Sequence, residues 1–271
     1  MLISKKLAQS LIPKKKFSAN KSDYGHVMII AGSKQFHGAG ILASLAATRA
    51  GAGYTHLMSE ISIKERKNFP DFIIHSMNIK NLSKKDHYAF AIGPGLGTDL
   101  LKKNLLLFLI KNKYPNVVVD ADALTILSKL KMKLPSTWIL TPHEGEAARL
   151  IDQEASFVKK NRLKVLVAIY KKYGCHVMLK GPETLIIDCQ GMIFKSKLGN
   201  QALAKAGTGD VLTGLIVSQL AQGLNPLQAI IVGNYLHGEA AIRYVKEGNS
   251  LRSLRPVDLI LEVPKILKKF D

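Results

Sequence analysis

Short, wholly apolar runs recur along the chain. Most are followed by a glycine-rich or acidic turn and then by apolar residues at helical spacing. The first run covers residues 27–31, between Gly25 and Gly32. A strand without polar alternation belongs in a parallel sheet with helices on both faces. A glycine-rich loop over 32–40 follows, then an alanine-rich helix over 41–50 closed by Gly51 and Gly53, then a strand at 54–58. That is one βαβ unit. The same rhythm predicts strands at 72–75, 88–92, 117–120, 138–140 and 176–179. Helices are predicted from a Thr98 or Asp99 cap to Ile110, from Ala121 onward, and over 144–151, 157–173, 208–221 and 226–245. Residues 185–187 and 192–194 flank Asp188-Cys189-Gln190-Gly191 as a hairpin. A terminal helix over 257–268 is expected to break or kink at Pro264. Residues 1–23 read as a lead-in helix and basic loop, and 24–271 as one α/β domain. Its predicted architecture is a doubly wound, mostly parallel sheet with helices on both faces.

In such sheets, ligands bind outside the carboxyl ends of the strands. Five turns fall there: 32–40, 93–97, 120–122, 143–146 and 180–184. The helix over 208–221 opens on Gly207-Thr208-Gly209-Asp210. Free N–H groups of Gly207, Thr208 and Gly209 would converge at its start, where the helix dipole favours an anion such as phosphate. A carboxylate beside a phosphate site is repelled, so Asp210 makes sense as a base or metal partner for the neighbouring group. An ordinary helix start is the plain alternative, because Thr and Asp are common near N-caps. The chain carries no G-x-x-x-x-G-K-[ST] and no well-placed G-x-G-x-x-G.

With 271 residues, of which 47% are apolar and 22% charged, the chain can bury a sizeable core. No run reaches the roughly 18 apolar residues of a membrane span, and the first residues are too polar for a secretory signal. Cys175 and Cys189 fit no metal spacing. A reducing cytoplasm is the expected location. The net charge of +19 invites a nucleic-acid reading, but only 7 of the 39 basic residues are Arg, the side chain suited to phosphate and base recognition. The lysines fall in scattered groups, Lys84-Lys85, Lys159-Lys160, Lys171-Lys172, Lys268-Lys269 and Lys14-Lys15-Lys16, which read as solvated faces. Neither a nucleic-acid nor a membrane partner is expected. Basicity does suit steering of anionic, phosphate-rich substrates.

Six motifs occur in order: Ala31-Gly32-Ser33 with Gly38-Ala39, Gly93-Pro94-Gly95-Leu96-Gly97, Asp120-Ala121-Asp122-Ala123-Leu124, Leu140-Thr141-Pro142-His143 with Gly145-Glu146, Leu179-Lys180-Gly181, and Ala206-Gly207-Thr208-Gly209-Asp210. Together they resemble the NAD(P)H-hydrate dehydratases of the ribokinase-like superfamily, over nearly the whole chain from Tyr24. The resemblance implies repair of NADHX and NADPHX, in which water has added across the nicotinamide C5–C6 bond. ADP, or alternatively ATP, drives the reaction by phosphorylation of the ring hydroxyl and loss of phosphate, with Mg²⁺ on the nucleotide. It implies Asp210 as catalytic base and Gly207, Thr208 and Gly209 as phosphate cradle. Lys180, Gly181, Pro182, Glu183, Thr184 and Gly209 would line the adenine nucleotide; Ala39, Gly97, His143 and Asp210 would line the hydrated dinucleotide. Glu146 is the implied metal residue, although His143-x-x-Glu146 departs from the Asn-x-x-Glu of superfamily sugar kinases. Of Asp120 and Asp122, one is read as a strand-end hydrogen-bonding group and the other as a helix cap. A homotetramer is also implied. An epimerase domain is expected on another chain, because so few residues precede the first strand. Two rivals remain: a vitamin-precursor kinase of the same superfamily, and a non-enzymatic basic nucleotide- or nucleic-acid-binding protein.

Overall fold

The computed structural model describes residues 1–271 except 15–17, 19, 62–68, 84, 86, 131 and 271. Lys15, Lys16 and Lys84, from the lysine groups above, lie outside the described residues. The strands are β1 (His26–Ile30), β2 (Tyr54–Ser59), β3 (Ile73–Ser76), β4 (Ala89–Ile92), β5 (Val117–Val119), β6 (Ile139–Leu140), β7 (His176–Leu179), β8 (Thr184–Ile187) and β9 (Ile193–Ser196). They form one sheet in the order β3-β2-β1-β4-β5-β6-β7-β8-β9. Every pairing from β3 across to β7 is parallel, and β8 and β9 add as an antiparallel hairpin. The sheet is therefore doubly wound and mostly parallel. The chain leaves β1 for the β3 edge and returns to β4 on β1's other side. The strand order reverses between β1 and β4, the place where such sheets bind ligands at their carboxyl edge.

The helices are α1 (Lys5–Ser10), α2 (His37–Arg49), α3 (Leu100–Lys111), α4 (Ala121–Ser128), α5 (Glu144–Ile151), α6 (Ala155–Lys160), α7 (Arg162–Tyr173), α8 (Thr208–Ala221), α9 (Pro226–Lys246) and α10 (Pro256–Leu267). Alternate strand residues serve two cores. Val27 and Ile29 pack with α2, α8, α9 and α10; Met28 and Ile30 pack with the layer of α3 to α7. This double burial is why β1 reads as an unbroken apolar run. At the far edge, Leu2 bridges to Lys195 and the Ile3 N–H donates to Lys195 O at 2.8 Å, so the lead-in covers β9.

Two expectations are corrected. The single helix over 157–173 is two helices, α6 and α7. Asn161 breaks them at φ −128°, ψ 33°, and its side-chain amide donates to Phe157 O at 3.0 Å. Asn competes for backbone carbonyls in this way, and the turn it frees redirects the chain into Arg162. At the other end, of the break or kink expected at Pro264, the break is absent: α10 runs continuously through it. Leu259, Ile260, Val263 and Ile266 all pack into the core there. That burial outweighs the roughly 3 kcal/mol an interior proline costs.

A ring cluster sits at the amino ends of the strands, on the α3–α7 side. His26 stacks on Tyr54 and Tyr88 with centroids at 4.4 and 4.6 Å, and His56 Nδ1 lies 3.0 Å from His75 Nε2. Burial pushes the His56 imidazole down to about 4 from its usual 6.5, with His75, Lys85 and His26 adding repulsion. A histidine whose folded value is depressed gives stability that is complete above 6.5 and is lost as pH falls towards 4. The slope from one such group reaches about 1.4 kcal/mol per pH unit. Thermal unfolding between pH 7 and 4 should show a falling Tm, with a shallower fall in His56→Phe; equal slopes in the two proteins would remove His56 as a cause.

Candidate active site

The carboxyl edge of the sheet gathers the chemistry. Asp120 directly follows β5 and is only 2% exposed. Lys180 directly follows β7, and its Nζ donates to Asp120 Oδ1 at 2.7 Å and stands 3.8 Å from Glu146 Oε2. The Thr213 hydroxyl on α8 donates to Asp120 Oδ2 at 2.7 Å. Both oxygens of Asp120 are thus satisfied, as burial of a carboxylate requires. Ala121 next to it holds φ 47°, the left-handed region that a residue with a Cβ rarely occupies.

Glu146 is in the first turn of α5. Its Oε2 accepts the His143 N–H at 2.7 Å, while His143 Nδ1 accepts the Gly145 N–H at 2.9 Å. This reciprocal capping fixes Nδ1 as an acceptor. Nε2 then carries the imidazole proton in the neutral ring, on a side chain 56% exposed. The plain reading of His143 as a helix cap and the implied reading as a ligand contact are therefore compatible: Nδ1 caps, Nε2 lies 3.4 Å from Glu146 Oε1, and the ring remains half exposed.

The start of α8 completes the cluster. Gly207 holds φ 89°, and a Cβ there would come within 2.7 Å of Pro256 Cγ. The Thr208 hydroxyl donates to Leu203 O and Lys205 O, both at 2.8 Å, and buried His237 Nε2 lies 2.9 Å from Thr208 O. Thr208 therefore spends its side chain on holding the turn. Gly209 and Asp210 supply first-turn N–H groups that a helix leaves without an internal acceptor. A Cβ on Gly209 would lie 3.6 Å from Lys180 Nζ, so the lysine and the helix start share one space.

Electrostatics single out Asp210. Burial, then the charge of Asp120, pushes its carboxyl up to about 7 against the opposing pull of Lys180; Glu146 and Asp122 add to the rise. Burial, with Asp120 assisting, also raises Glu146 despite Lys180. Lys180 itself is raised: burial works to lower it, and the carboxylates of Asp120 and Glu146 outweigh that. Burial and Lys180 lower His143. A carboxyl titrating near neutrality can both take and return a proton at working pH.

The other expected residues surround this centre. Gly97 donates its N–H to Asp122 Oδ2 at 2.8 Å, so Asp122 ties the second glycine-rich turn rather than capping α4. Ala39 lies in the first turn of α2, packed towards Gly95. Gly181 and Pro182 are exposed, and Glu183 turns towards Lys195 and Lys197 at 3.6 and 3.7 Å. Thr184 is buried at the start of β8. Among the described residues, no three His, Cys, Asp or Glu side chains are grouped to hold a metal ion by themselves. A cavity of about 250 Å³ lined by Arg49, Gln219, Gln222 and Phe270 contains none of these residues.

Arg162 was not singled out from the sequence. Its guanidinium donates to Glu144 Oε1 at 2.5 Å, Leu179 O at 3.3 Å, Lys180 O at 3.3 Å and Glu183 O at 2.9 Å, stapling the 180–183 turn. An isolated Arg in so lysine-rich a chain, directly after Asn161, was the available signal. Thr213, one helical turn after Asp210, was likewise legible only once Asp120 had a place.

The family model described as NAD(P)H-hydrate dehydratase matches residues 27–265. The chain belongs to the NAD(P)H-hydrate dehydratase family. It is 33% identical over 276 residues to the ADP-dependent (S)-NAD(P)H-hydrate dehydratase of Staphylococcus aureus, covering 96% of this chain and 95% of that one. It is 32% identical to a bifunctional NAD(P)H-hydrate repair enzyme of Dictyoglomus turgidum, covering 93% of this chain and 52% of the relative. The chain thus spans about half the length of the bifunctional relatives it matches. The Bacillus subtilis ADP/ATP-dependent NAD(P)H-hydrate dehydratase, co-crystallized with ATP/Mg²⁺, superimposes with a TM-score of 0.89 at 28% identity, covering 100% of this chain and 98% of that one. The site residues expected from the sequence, from Ala39 to Asp210, lie within the stretch that matches the dehydratase family.

Replacing Lys180 strands Asp120 in the interior. Lys180→Met should lose about 3–5 kcal/mol of unfolding free energy in a denaturant titration; a loss below about 1 kcal/mol would show that the pair carries little.

Proposed function

We propose that the protein converts NADHX and NADPHX back to NADH and NADPH at the expense of an adenine nucleotide, with ADP the expected donor and ATP the alternative. The observation that carries this reading is Asp210: a carboxyl lifted to about 7 at a helix N-terminus, beside the Lys180 ammonium. Hydroxide leaves poorly, so the C6 hydroxyl of the hydrate must first become a phosphate ester. Asp210 takes the hydroxyl proton as that oxygen attacks the terminal phosphoryl, whose bond to the rest of the nucleotide breaks and releases AMP from ADP, or ADP from ATP. The N–H groups of Gly209 and Asp210, with Lys180, stabilise the phosphoryl in transfer. Phosphate then departs with the C6–O electron pair, and loss of a C5 proton restores the ring double bond. Ala39, Gly97 and His143 would line the dinucleotide, and the turn from Lys180 through Gly181, Pro182 and Glu183 to Thr184, stapled by Arg162, would line the nucleotide.

The carboxylates of Asp120, Glu146 and Asp210 outnumber the one ammonium among them, and a divalent cation arriving on nucleotide phosphates would relieve that excess. Glu146, whose carboxylate stands 3.8 Å from Lys180 Nζ, is the residue proposed to face Mg²⁺, which would neutralise charge on the phosphates. A homotetramer is part of the proposal. Val257 and Leu261 leave apolar surface on α10, at 41% and 51% exposure. Among the described residues, no helix is long and apolar enough to cross a membrane.

Incubation of enzymatically prepared hydrate with ADP and with ATP in parallel, followed at the reduced-nicotinamide band, should restore absorbance, faster with ADP. No recovery with either nucleotide contradicts the reading. Asp210→Asn should lower turnover by a factor of about 10³ or more while leaving the nucleotide KM near its original value; turnover within about tenfold of the parent would take the base role from Asp210.

A further inference from the structure

The two glycine-rich turns after β1 and β4 bind each other through backbone. The Gly32 N–H donates to Pro94 O at 2.9 Å and the Ser33 N–H to Gly95 O at 2.6 Å. Gly95 holds φ 54°, and a Cβ there would come within 2.6 Å of Phe36 O and 2.9 Å of Ala39 Cβ. Ala39 and Gly97 hang on either side of this seam.

Beside the seam lies a charge cluster that the proposed chemistry does not use. Lys102, in the first turn of α3, is 3% exposed. Its ammonium donates to Asp99 Oδ2 at 2.8 Å and to Glu60 Oε1. Glu60 follows β2. Its Oε2 accepts the Lys34 N–H at 3.1 Å, and its own N–H donates to Gly32 O at 3.0 Å. Asp99 Oδ1 caps α3 from Leu101 N at 3.0 Å and Lys102 N at 3.3 Å. One ammonium therefore ties the end of β2, the first turn and the exit of the second.

Stability alone gives no reason for a lysine here. A cation in the first turn works against the helix dipole, and desolvating a lysine costs more than burying an apolar chain of similar size. The carboxyls of Glu60 and Asp99 are held below their usual range chiefly by the Lys102 hydrogen bond. Burial works to lower Lys102, and the two carboxylates outweigh it, so the group stays charged through neutral pH.

We propose that Lys102 is a positioning residue for the hydrated dinucleotide, setting the separation of the turns that carry Ala39 and Gly97 through Glu60 and Asp99. This rests on the dehydratase reading of the site. Lys102 touches no reacting atom, so its effect falls on hydrate binding and leaves the Asp210 step alone. Glu60 and Asp99 keep 23% and 59% side-chain exposure, so losing the ammonium does not strand them in the interior.

The test is steady-state kinetics of Lys102→Met with hydrate and ADP varied separately, together with Tm and amide hydrogen exchange over 32–38 and 93–99. The hydrate KM should rise about tenfold, with kcat and the ADP KM within about twofold of the parent, Tm unchanged or higher, and faster exchange at the Lys34 amide. Glu60→Gln keeps one side-chain acceptor where Glu60 has two, so it can serve the Lys34 N–H or the Lys102 ammonium but not both, and its hydrate KM should fall between those of the parent and Glu60→Ala. An unchanged hydrate KM overturns the proposal, as does a joint fall of kcat, both affinities and Tm. A parent protein with no turnover overturns the dehydratase reading instead, which separates the two failures.

Discussion

The Lys180–Asp120 ion pair is the constraint on which the site depends. Asp120 is almost fully buried, and the Lys180 ammonium and the Thr213 hydroxyl make that burial tolerable. Thr213 fixes the pair to α8, and Glu146 stands at its other side. The lysine that neutralises Asp120 is thereby shared among three carboxylates and cannot fully offset the charge near Asp210. Burial and the residual field of Asp120 then lift Asp210 into the neutral range. A structural ion pair thus sets the chemical state of a neighbour that it does not touch by hydrogen bond.

The fold explains why these groups meet. In a parallel sheet every strand delivers its last residue to the same edge, and every following helix begins there with its positive end. Asp120 and Lys180 come from strand ends, and Glu146 and Asp210 from the first turns of helices. The reversal of strand order between β1 and β4 opens the crevice beside them. The glycine-rich turns after β1 and β4 are held together by backbone bonds, with the Lys102 cluster beside them.

Much of this was legible in the sequence, because strands buried on both faces leave unbroken apolar runs and because glycine and acid punctuate their carboxyl ends. The six motifs identified the family for the same reason: each marks a turn at the ligand edge. The failures share another cause. Asn161 interrupts a segment whose lysines and apolar residues keep helical spacing, so periodicity alone could not see the break. Pro264 signalled an interruption that core packing overrode. Arg162, Lys102 and Thr213 reach Leu179, Glu60 and Asp120, which lie 17, 42 and 93 residues away in the chain, and no local pattern announces such contacts. Asp122 illustrates the limit well: a carboxylate in the opening turn of a helix reads as a local cap, whereas it reaches back to Gly97.

The most direct test is the titration of Asp210 in the resting protein by carboxyl ¹³C NMR, with Asp210→Asn supplying the assignment. A midpoint of about 7 is expected, falling in Asp120→Asn as the neighbouring charge is removed. A midpoint at the ordinary carboxyl value of 3.8 would contradict the claim that the buried cluster holds Asp210 ready to exchange a proton at neutral pH.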